Sequence, residues 1–232
     1  MQLTTNQGKN LTIQTSVGTF SRYAIPTHFV QIGENYIDLI QQYITPVYRP
    51  GDIISISEKI ISLCQKRIIY KKDMKLSRLA KLLSRFASHS SAGIGVDCVW
   101  KMQFALNHCG TWKILYATLC SAIGKLFGKH GIFYDIAGEE VRGLDGFYDK
   151  SYSVYGDFGI RLPENPDKVC EEIYEKTGVM AMIVDANDFT RDILGTCSAI
   201  TYTRDQLAQM IQDNPSGQST QQTPFVIIRP AQ

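Results

Sequence analysis

The sequence lacks a strong excess of charge of either sign. Its 232 residues carry 24 Lys and Arg against 22 Asp and Glu, a formal net charge of +2. Proteins that bind nucleic acid without sequence preference usually carry a large basic excess, so we expect no nucleic acid among the partners. Long apolar runs are also missing. The longest, Ile114 to Ile123, is interrupted by Thr118 and Ser121 and is too short for a membrane span, so we expect no membrane partner.

The six cysteines form neither a disulfide framework nor a zinc motif. No two of them have the spacing of a CxxC motif, and most lie inside apolar stretches. They are typical of free thiols in a reducing compartment. The segment from Met1 to Asn6 provides neither a basic region nor an apolar core, so we expect no secretory signal. Together these features predict a cytoplasmic protein.

Three common catalytic signatures are absent. Gly124-Lys125 is followed by Leu126 and not by the Ser or Thr of a phosphate-binding loop. Gly93-Ile94-Gly95 lacks the third glycine of a dinucleotide fingerprint and follows a polar loop. The GxSxG motif of many hydrolases does not occur. Any catalytic activity of this chain must therefore depend on other residues.

Hydrophobic periodicity predicts a compact α+β fold with one domain over residues 1–232. A division of this domain into two lobes is an alternative. Strands are predicted at residues 11–17, 52–61, 132–136, 179–184 and 225–228. Helices are predicted around Ile37, Ile40 and Ile44, in the second half of 66–86, on both sides of Gly110 within 100–126, at 166–176 and at 204–211. The segment 145–159 is predicted to be an ordered surface loop.

The segment 66–86 is the most basic part of the chain. Lys75, Arg78, Lys81 and Arg85 surround the polar side of its predicted helix. This pattern is typical of a solvated helix face. The alternative is a local positive field for an anionic ligand.

Acidic residues follow the predicted strands. Asp185 and Asp188 come directly after one apolar strand, Glu58 and Lys59 stand at the end of another, and Asp145 lies in a loop flanked by glycines. Carboxylate oxygens suit Mg²⁺ or Mn²⁺, which bridge nucleotide phosphates. Single carboxylates in such places are more often caps or turn formers, so the pattern alone indicates a metal–phosphate site only weakly.

Four stretches carry motifs in a recognisable order. They are Ile25-Pro26-Thr27-His28 with Gly33-Glu34-Asn35; Pro50-Gly51-Asp52 with the strand ending in Glu58-Lys59; Leu162-Pro163 with Thr177-Gly178 and Asp185; and Gly217 to Arg229. In this order and spacing they resemble the coenzyme F420:L-glutamate ligase family across both halves of the chain. The resemblance implies the mixed sheet-and-helix fold of that family and a homodimer.

The same resemblance implies an amide ligase that uses GTP as co-substrate and a divalent metal, Mg²⁺ or Mn²⁺. The γ-phosphoryl group would pass to a small carboxylate substrate, and the amine of a glutamate-like amino acid would displace phosphate from the acyl phosphate. Metal ligands carry over to Asp145, Asp185 and Asp188. Catalytic assistance carries over to Lys59 and Arg67. Nucleotide contacts carry over to Pro26, Thr27, His28, Glu58 and Gln218.

Departures from the family pattern keep other functions open. The family's Asn-Ala-Gly-Val-Asp-x-Ser-Asn motif is reduced here to Ala137-Gly138 and Gly143-Leu144-Asp145. A lysine expected after the second motif is Leu63. These changes favour an alternative, a nucleotide-binding regulatory or interaction module without turnover. A third hypothesis is a thiol-dependent enzyme that uses Cys98 with His108, although no activating partner is fixed by spacing.

Overall fold

The structure is a computed structural model that describes residues 3–87, 95–147, 156–186, 191–217 and 221–231. The chain forms two compact units. The first contains Met1–Lys66 and Pro163–Gln232, and the second contains Arg67–Leu162. Whether these units behave as one domain stays a prediction. Among the described residues, no helix is both long and apolar enough to cross a membrane.

Helices and strands are mixed along the chain. In order, the strands are β1 (Thr12–Thr15), β2 (Gly18–Ile25), β3 (Ile53–Ser57), β4 (Ile68–Tyr70), β5 (Asp145–Gly146), β6 (Phe158–Ile160), β7 (Met180–Ala186), β8 (Arg191–Thr196) and β9 (Phe225–Pro230). The α-helices are α1 (Tyr36–Tyr43), α2 (Glu58–Cys64), α3 (Arg78–Phe86), α4 (Val99–Cys109), α5 (Thr111–Leu126), α6 (Ile132–Ala137), α7 (Glu139–Arg142), α8 (Pro166–Thr177) and α9 (Arg204–Met210). The described residues thus confirm the predicted mixed α+β class.

The first unit is built on a six-stranded mixed sheet with strand order β1-β2-β9-β3-β7-β8. Only β3 and β7 pair in parallel, and every other neighbouring pair is antiparallel. The central strands β3 and β9 are mostly apolar and mostly buried, as expected for strands that are covered on both faces. One face packs against Leu207, Met210 and Ile211 at the end of α9.

Helix α8 approaches β8 very closely at a glycine. A Cβ atom added to Gly195 would lie 2.4 Å from the carbonyl carbon of Pro166 and 2.5 Å from the backbone nitrogen of Asp167. The helix begins with this proline, as predicted, and ends at Gly178, which adopts a left-handed conformation with φ of 70°. Glycine at position 195 therefore lets the start of α8 lie on the sheet.

The predicted strand over residues 52–61 is too long. The strand ends at Ser57, and α2 begins at Glu58. The run Ile60-Ile61 has high β propensity, but its residues are buried on a helix together with Leu63, so tertiary packing outweighs propensity here. Strands β2 and β8 were not predicted as such.

The second unit combines five helices, α3 to α7, with a small antiparallel sheet of order β4-β6-β5. Its core joins buried residues of these helices, among them Leu83, Met102, Phe104, Ile114 and Phe133. The two helices predicted on either side of Gly110 are confirmed, and this glycine has a φ of 83°.

Two predictions in the second unit are wrong or incomplete. Residues 132–136, predicted as a strand, form helix α6, which lies between Gly131 and Gly138, two glycines with positive φ. The predicted loop 145–159 begins and ends in the paired strands β5 and β6. Phe147, within this segment, is buried. Residues 148–155 of that loop lie outside the described part of the chain.

Candidate functional site

The carboxyl ends of three strands meet at one edge of the six-stranded sheet. Ile25, the last residue of β2, pairs with Phe225, which also pairs with Ile56 of β3. Ser57, the last residue of β3, pairs with Val184 of β7. The segments that follow these strands therefore emerge together. We call this place the strand-end edge.

Most of the predicted site residues of the first unit lie at the strand-end edge. Pro26, Thr27 and His28 follow β2, Glu58 and Lys59 follow β3, and Asp185 lies near the end of β7. Two backbone hydrogen bonds fix the loops. The amide of Thr27 donates to the carbonyl of Gln222 at 3.0 Å, and the amide of Ser57 donates to the carbonyl of Pro224 at 2.9 Å. The sequence motifs thus lie together although they come from three separate segments.

Three carboxylates lie at the same level of the sheet, two on neighbouring strands and one at the first residue after a third strand. Glu58 follows Ser57 and Asp185 follows Val184, the last pair of the parallel ladder. On the other side, Asp185 pairs directly with Asp192 of β8. Directly opposed side chains of an antiparallel pair point to the same face, with Cβ atoms about 4.5–5.5 Å apart. Asp192 is a residue that sequence reasoning missed, because β8 was not predicted and its register was unknown.

Glu58 and Lys59 lie in the first turn of α2 and not on a strand, which corrects the prediction made from the β-branched run. The side chain of Glu58 is buried, whereas Lys59 is half-buried. A carboxylate in the first turn of a helix is favoured by the helix dipole. The helix thus supplies one acidic and one basic side chain at the strand-end edge.

His28 is held by its own loop. Its Nδ1 lies 2.6 Å from the hydroxyl of Tyr43, and its Nε2 lies 2.8 Å from a carboxylate oxygen of Glu34. Glu34 also accepts a hydrogen bond from the amide of Gln31. The ring is exposed, but both nitrogens have partners within the unit. A ligand that binds through this ring must therefore replace one of these contacts.

Arg67 belongs to the second unit and is engaged there. Its guanidinium donates to Glu140 at 2.8 Å and to the carbonyl of Leu162 at 3.1 Å. The other oxygen of Glu140 accepts from Arg161 at 2.9 Å. These hydrogen bonds join the first and last residues of the second unit, so the observed contacts of Arg67 stabilise the fold of that unit.

Asp145 lies in β5, and a buried lysine supports the backbone that precedes it. The Nζ atom of Lys101, only 3% exposed, donates to the carbonyl of Leu144 at 2.7 Å and to that of Arg142 at 3.1 Å. Burial lowers the pKa of Lys101 to about 8, and the negative charge of Asp145 opposes part of this change. Asp145 itself accepts a hydrogen bond at 2.7 Å from the amide of Gly146.

Sequence reasoning missed Lys101. Its only signal is a charged residue between Trp100 and Met102 in a helix whose neighbouring residues are mostly apolar. Such a lysine is compatible with an exposed helix position as well as with a buried one.

Two predicted site residues, Asp188 and Gln218, lie outside the described residues. The described part of the turn before Gln218 is anchored to the start of the chain. Asn6 donates to the carbonyl of Pro215 at 2.9 Å and to the hydroxyl of Thr223 at 2.8 Å. Arg22, only 1% exposed, pairs with both carboxylate oxygens of Asp213. These contacts give residues 213–217 a structural role.

Within the parts of the chain that the structure describes, no group of three or more His, Cys, Asp or Glu side chains is close enough to hold a metal ion by itself. The carboxylates at the strand-end edge are nonetheless hard oxygen donors. Mg²⁺ commonly uses only one or two protein carboxylates together with water and substrate phosphates. The donor set fits a metal that binds together with a nucleotide.

Helix α4 separates Cys98 from His108. Cys98 caps the start of the helix and His108 lies in its last turn, stacked on Phe104 with ring centroids 5.4 Å apart. Ten residues of helix correspond to about 15 Å. The imidazole therefore does not activate this thiol, and the hypothesis of a Cys98–His108 pair is wrong.

Comparison with known proteins adds no family assignment: no family model matches the chain, and no curated protein matches it significantly.

Proposed function

We propose that the protein is a nucleotide- and metal-dependent amide ligase that adds a glutamate-like amino acid to a small carboxylate. The observation that carries the proposal is the arrangement of the strand-end edge. Residues singled out by their resemblance to one ligase family lie in separate segments, yet they meet where β2, β3 and β7 end. Their position at one edge of the sheet supports a shared site.

The reaction needs positioning and neutralisation of charge more than a protein nucleophile. A carboxylate oxygen of the acceptor attacks the γ-phosphorus of GTP, and the bond to the bridging oxygen breaks to release GDP. The amine nitrogen then attacks the acyl carbon, phosphate leaves with the electron pair of its bond, and the nitrogen loses a proton. A divalent cation would neutralise phosphate charge when it is bound.

Each residue of the strand-end edge has a role in this proposal. Asp185 holds the divalent cation together with Asp192, and Asp188 is the additional ligand implied by the resemblance. The ammonium group of Lys59 faces the phosphates. The loop Pro26-Thr27-His28 borders the nucleotide. The opposed pair of Asp185 and Asp192 supports the metal assignment, because directly opposed side chains of an antiparallel ladder lie on the same face and offer two carboxylates to one cation.

The roles proposed for Asp145, Arg67 and Gln218 rest on the family resemblance alone. Asp145 would be a second metal ligand, Arg67 would assist transfer, and Gln218 would contact the nucleotide. A homodimer is part of the same proposal, because the resemblance implies it. GTP rather than ATP, and Mg²⁺ or Mn²⁺, are proposed on the same ground.

A regulatory nucleotide-binding module is the second candidate. The engagement of Arg67 by Glu140 at 2.8 Å favours it, because this guanidinium already has an anionic partner. The module would bind nucleotide at the strand-end edge without transferring phosphate. Both candidates share the binding site and differ only in turnover.

Turnover separates the two candidates. The wild-type protein is incubated with GTP, Mn²⁺, L-glutamate and a panel of small carboxylic acids, and GDP and phosphate are measured by chromatography. A ligase releases GDP when an acid and the amino acid are both present, and the product gains the mass of the amino acid less one water. Binding of GTP with no GDP formed across the panel would favour the regulatory module.

A further inference from the structure

Helix α5 leaves an apolar face uncovered. The helix packs into the core of the second unit through Ile114, Ala117 and Gly124. Its opposite side carries large apolar residues whose exposed fractions lie between 48% and 84%. We call these residues the α5 stripe; they are Trp112, Tyr116, Leu119, Ile123, Leu126 and the adjoining Phe127.

The spacing of the α5 stripe is that of a helix-pairing seam. From Trp112 to Leu126 its members are separated by four, three, four and three residues. This alternation places side chains on a narrow line along a helix, and it is the spacing by which two helices pack side by side.

The area of the α5 stripe suits a protein partner. With aromatic side chains of about 150–250 Å² each, the stripe leaves on the order of 800 Å² exposed. The largest apolar patch on a typical monomer is only about 300–600 Å². A standard protein interface buries roughly 800 Å² on each partner. The stripe alone is therefore sufficient for one side of a stable interface.

The two ends of α5 are complementary to each other. Trp112, at the amino end, is the most exposed large apolar side chain of the described residues at 84%. At the carboxyl end, a groove of about 280 Å³ is lined by Cys120, Ile123, Gly124, Phe127, Lys129 and Ile132. Gly124 lets Ile132 pack closely against α5 beside this groove, since a Cβ atom there would lie 2.2 Å from the Cδ1 atom of Ile132. The groove accommodates an aromatic ring.

We propose that the α5 stripe pairs with the α5 stripe of a second copy of this chain, antiparallel about a two-fold axis near Leu119. Leu119 stands seven residues from both Trp112 and Leu126, so this pairing brings the indole of each copy to the groove of the other. One surface thus satisfies both halves of a symmetric contact. Buried tryptophans in pockets are typical anchors of interfaces.

The charges of α5 lie beside the stripe and not on it. The helix contains no Asp or Glu, and its basic residues are Lys113 and Lys125. The Nζ atom of Lys113 donates to the carbonyl of Ala137 at 3.4 Å, so this charge is engaged within its own unit. The inference does not depend on the ligase activity.

Sedimentation velocity at micromolar concentration tests the pairing. The wild-type protein should sediment with about twice the 26.1 kDa mass of the chain, and Leu119→Glu should sediment as a monomer. The matched control is Leu82→Glu, because Leu82 lies on α3 and has a similar exposed fraction, 51% against 59%. It should remain dimeric. Circular dichroism confirms that both variants are folded.

Fluorescence gives a second measurement that does not rely on a charged substitution. Dilution of the wild-type protein should shift tryptophan emission to longer wavelength as Trp112 becomes solvated, and this shift should be absent in Trp112→Phe, which keeps Trp100. A wild-type monomer at micromolar concentration would overturn the proposal, including a monomer that binds anionic vesicles through the stripe. A dimer that persists in Leu119→Glu would place the contact elsewhere and would overturn it as well.

Discussion

Asp185 on β7 lies directly opposite Asp192 on β8 at the edge of the sheet where three strands end. Like charges in directly opposed positions destabilise an antiparallel pair by about 0.2–1 kcal/mol. A divalent cation bound between the two carboxylates would offset this repulsion. The pair therefore connects the stability of the sheet to the occupancy of the proposed metal site.

Replacement of Asp192 by asparagine should have opposite effects with and without metal. Without a divalent cation, Asp192→Asn should raise the free energy of unfolding by about 0.2–1 kcal/mol, because the repulsion is removed. With Mn²⁺ and GTP, the wild-type protein should gain more stability than the variant, because ligand binding stabilises the folded state by mass action. Thermal unfolding with and without Mn²⁺ and GTP measures both effects.

The control for this experiment is Asp205→Asn, which removes an exposed aspartate from the first turn of α9. It should respond to Mn²⁺ and GTP as the wild-type protein does. Equal metal-dependent stabilisation of the wild-type protein and Asp192→Asn would remove Asp192 from the site.

Lys101 should make stability rise with pH in the alkaline range. Burial lowers its pKa to about 8 in the folded state, whereas an unfolded lysine titrates near about 10.4. Between these values the unfolded chain holds more protons, so the free energy of unfolding increases with pH. Below about pH 8, Lys101 is protonated in both the folded and the unfolded chain, and the free-energy cost of burying its ammonium group is fully present. A difference of one in pKa corresponds to about 1.4 kcal/mol, so the free energy of unfolding should rise by an amount on the order of 3 kcal/mol over this pH range.

Urea unfolding of the wild-type protein and of Lys101→Met, at about pH 7.5 and about pH 9.5, isolates this contribution. The methionine variant lacks the titrating group, so its stability should change less than that of the wild-type protein between the two pH values. Two variants whose stabilities change in parallel would show that Lys101 keeps an ordinary pKa in the folded state.

Asp213→Asn should destabilise the first unit strongly. The carboxylate pairs with the buried guanidinium of Arg22, and leaving a buried charged donor without this partner costs about 1–3 kcal/mol or more. Burial opposes ionisation of Asp213, but its hydrogen bonds with Arg22 outweigh this effect and keep the pKa of the carboxyl below its ordinary value. Urea denaturation measures the loss, and nucleotide affinity should change little in the folded fraction.

The double variant Arg22→Met with Asp213→Asn provides the control. Removing both partners leaves no uncompensated charge, so this variant should recover part of the lost stability. A single variant that unfolds like the wild-type protein but binds GTP weakly would contradict the structural role of the turn and favour a direct role in nucleotide binding.

The elements with a strong local signal could be predicted from sequence. Helix α8 begins at a proline and ends at a glycine, and its boundaries were predicted within one residue. The interruption at Gly110 was predicted for the same reason. Helix α6 was mistaken for a strand because its six residues are too few to show a helical period. Proline and glycine signals thus marked the ends of the correctly predicted helices, and the short length of α6 left its type ambiguous.

The parts of the candidate site that depend on register could not be predicted. Lys59 and Asp185 were identified in sequence by their motifs. Asp192 was not, because its place opposite Asp185 follows from pairing between β7 and β8, which includes a register irregularity. Lys101 was missed because its burial depends on packing between α4 and the segment before β5. Tertiary contacts of this kind leave no local pattern in the sequence.

The central claim is that GTP and a divalent metal bind together at the strand-end edge, and calorimetric titration tests it most directly. GTP is titrated into the wild-type protein, Asp185→Asn and the control Asp205→Asn, each with and without Mn²⁺. The account predicts that Mn²⁺ strengthens GTP binding in the wild-type protein and in the control, and that Asp185→Asn loses this metal-dependent gain by at least about tenfold, or 1.4 kcal/mol. Equal GTP affinity of Asp185→Asn and the wild-type protein in the presence of Mn²⁺ would contradict it.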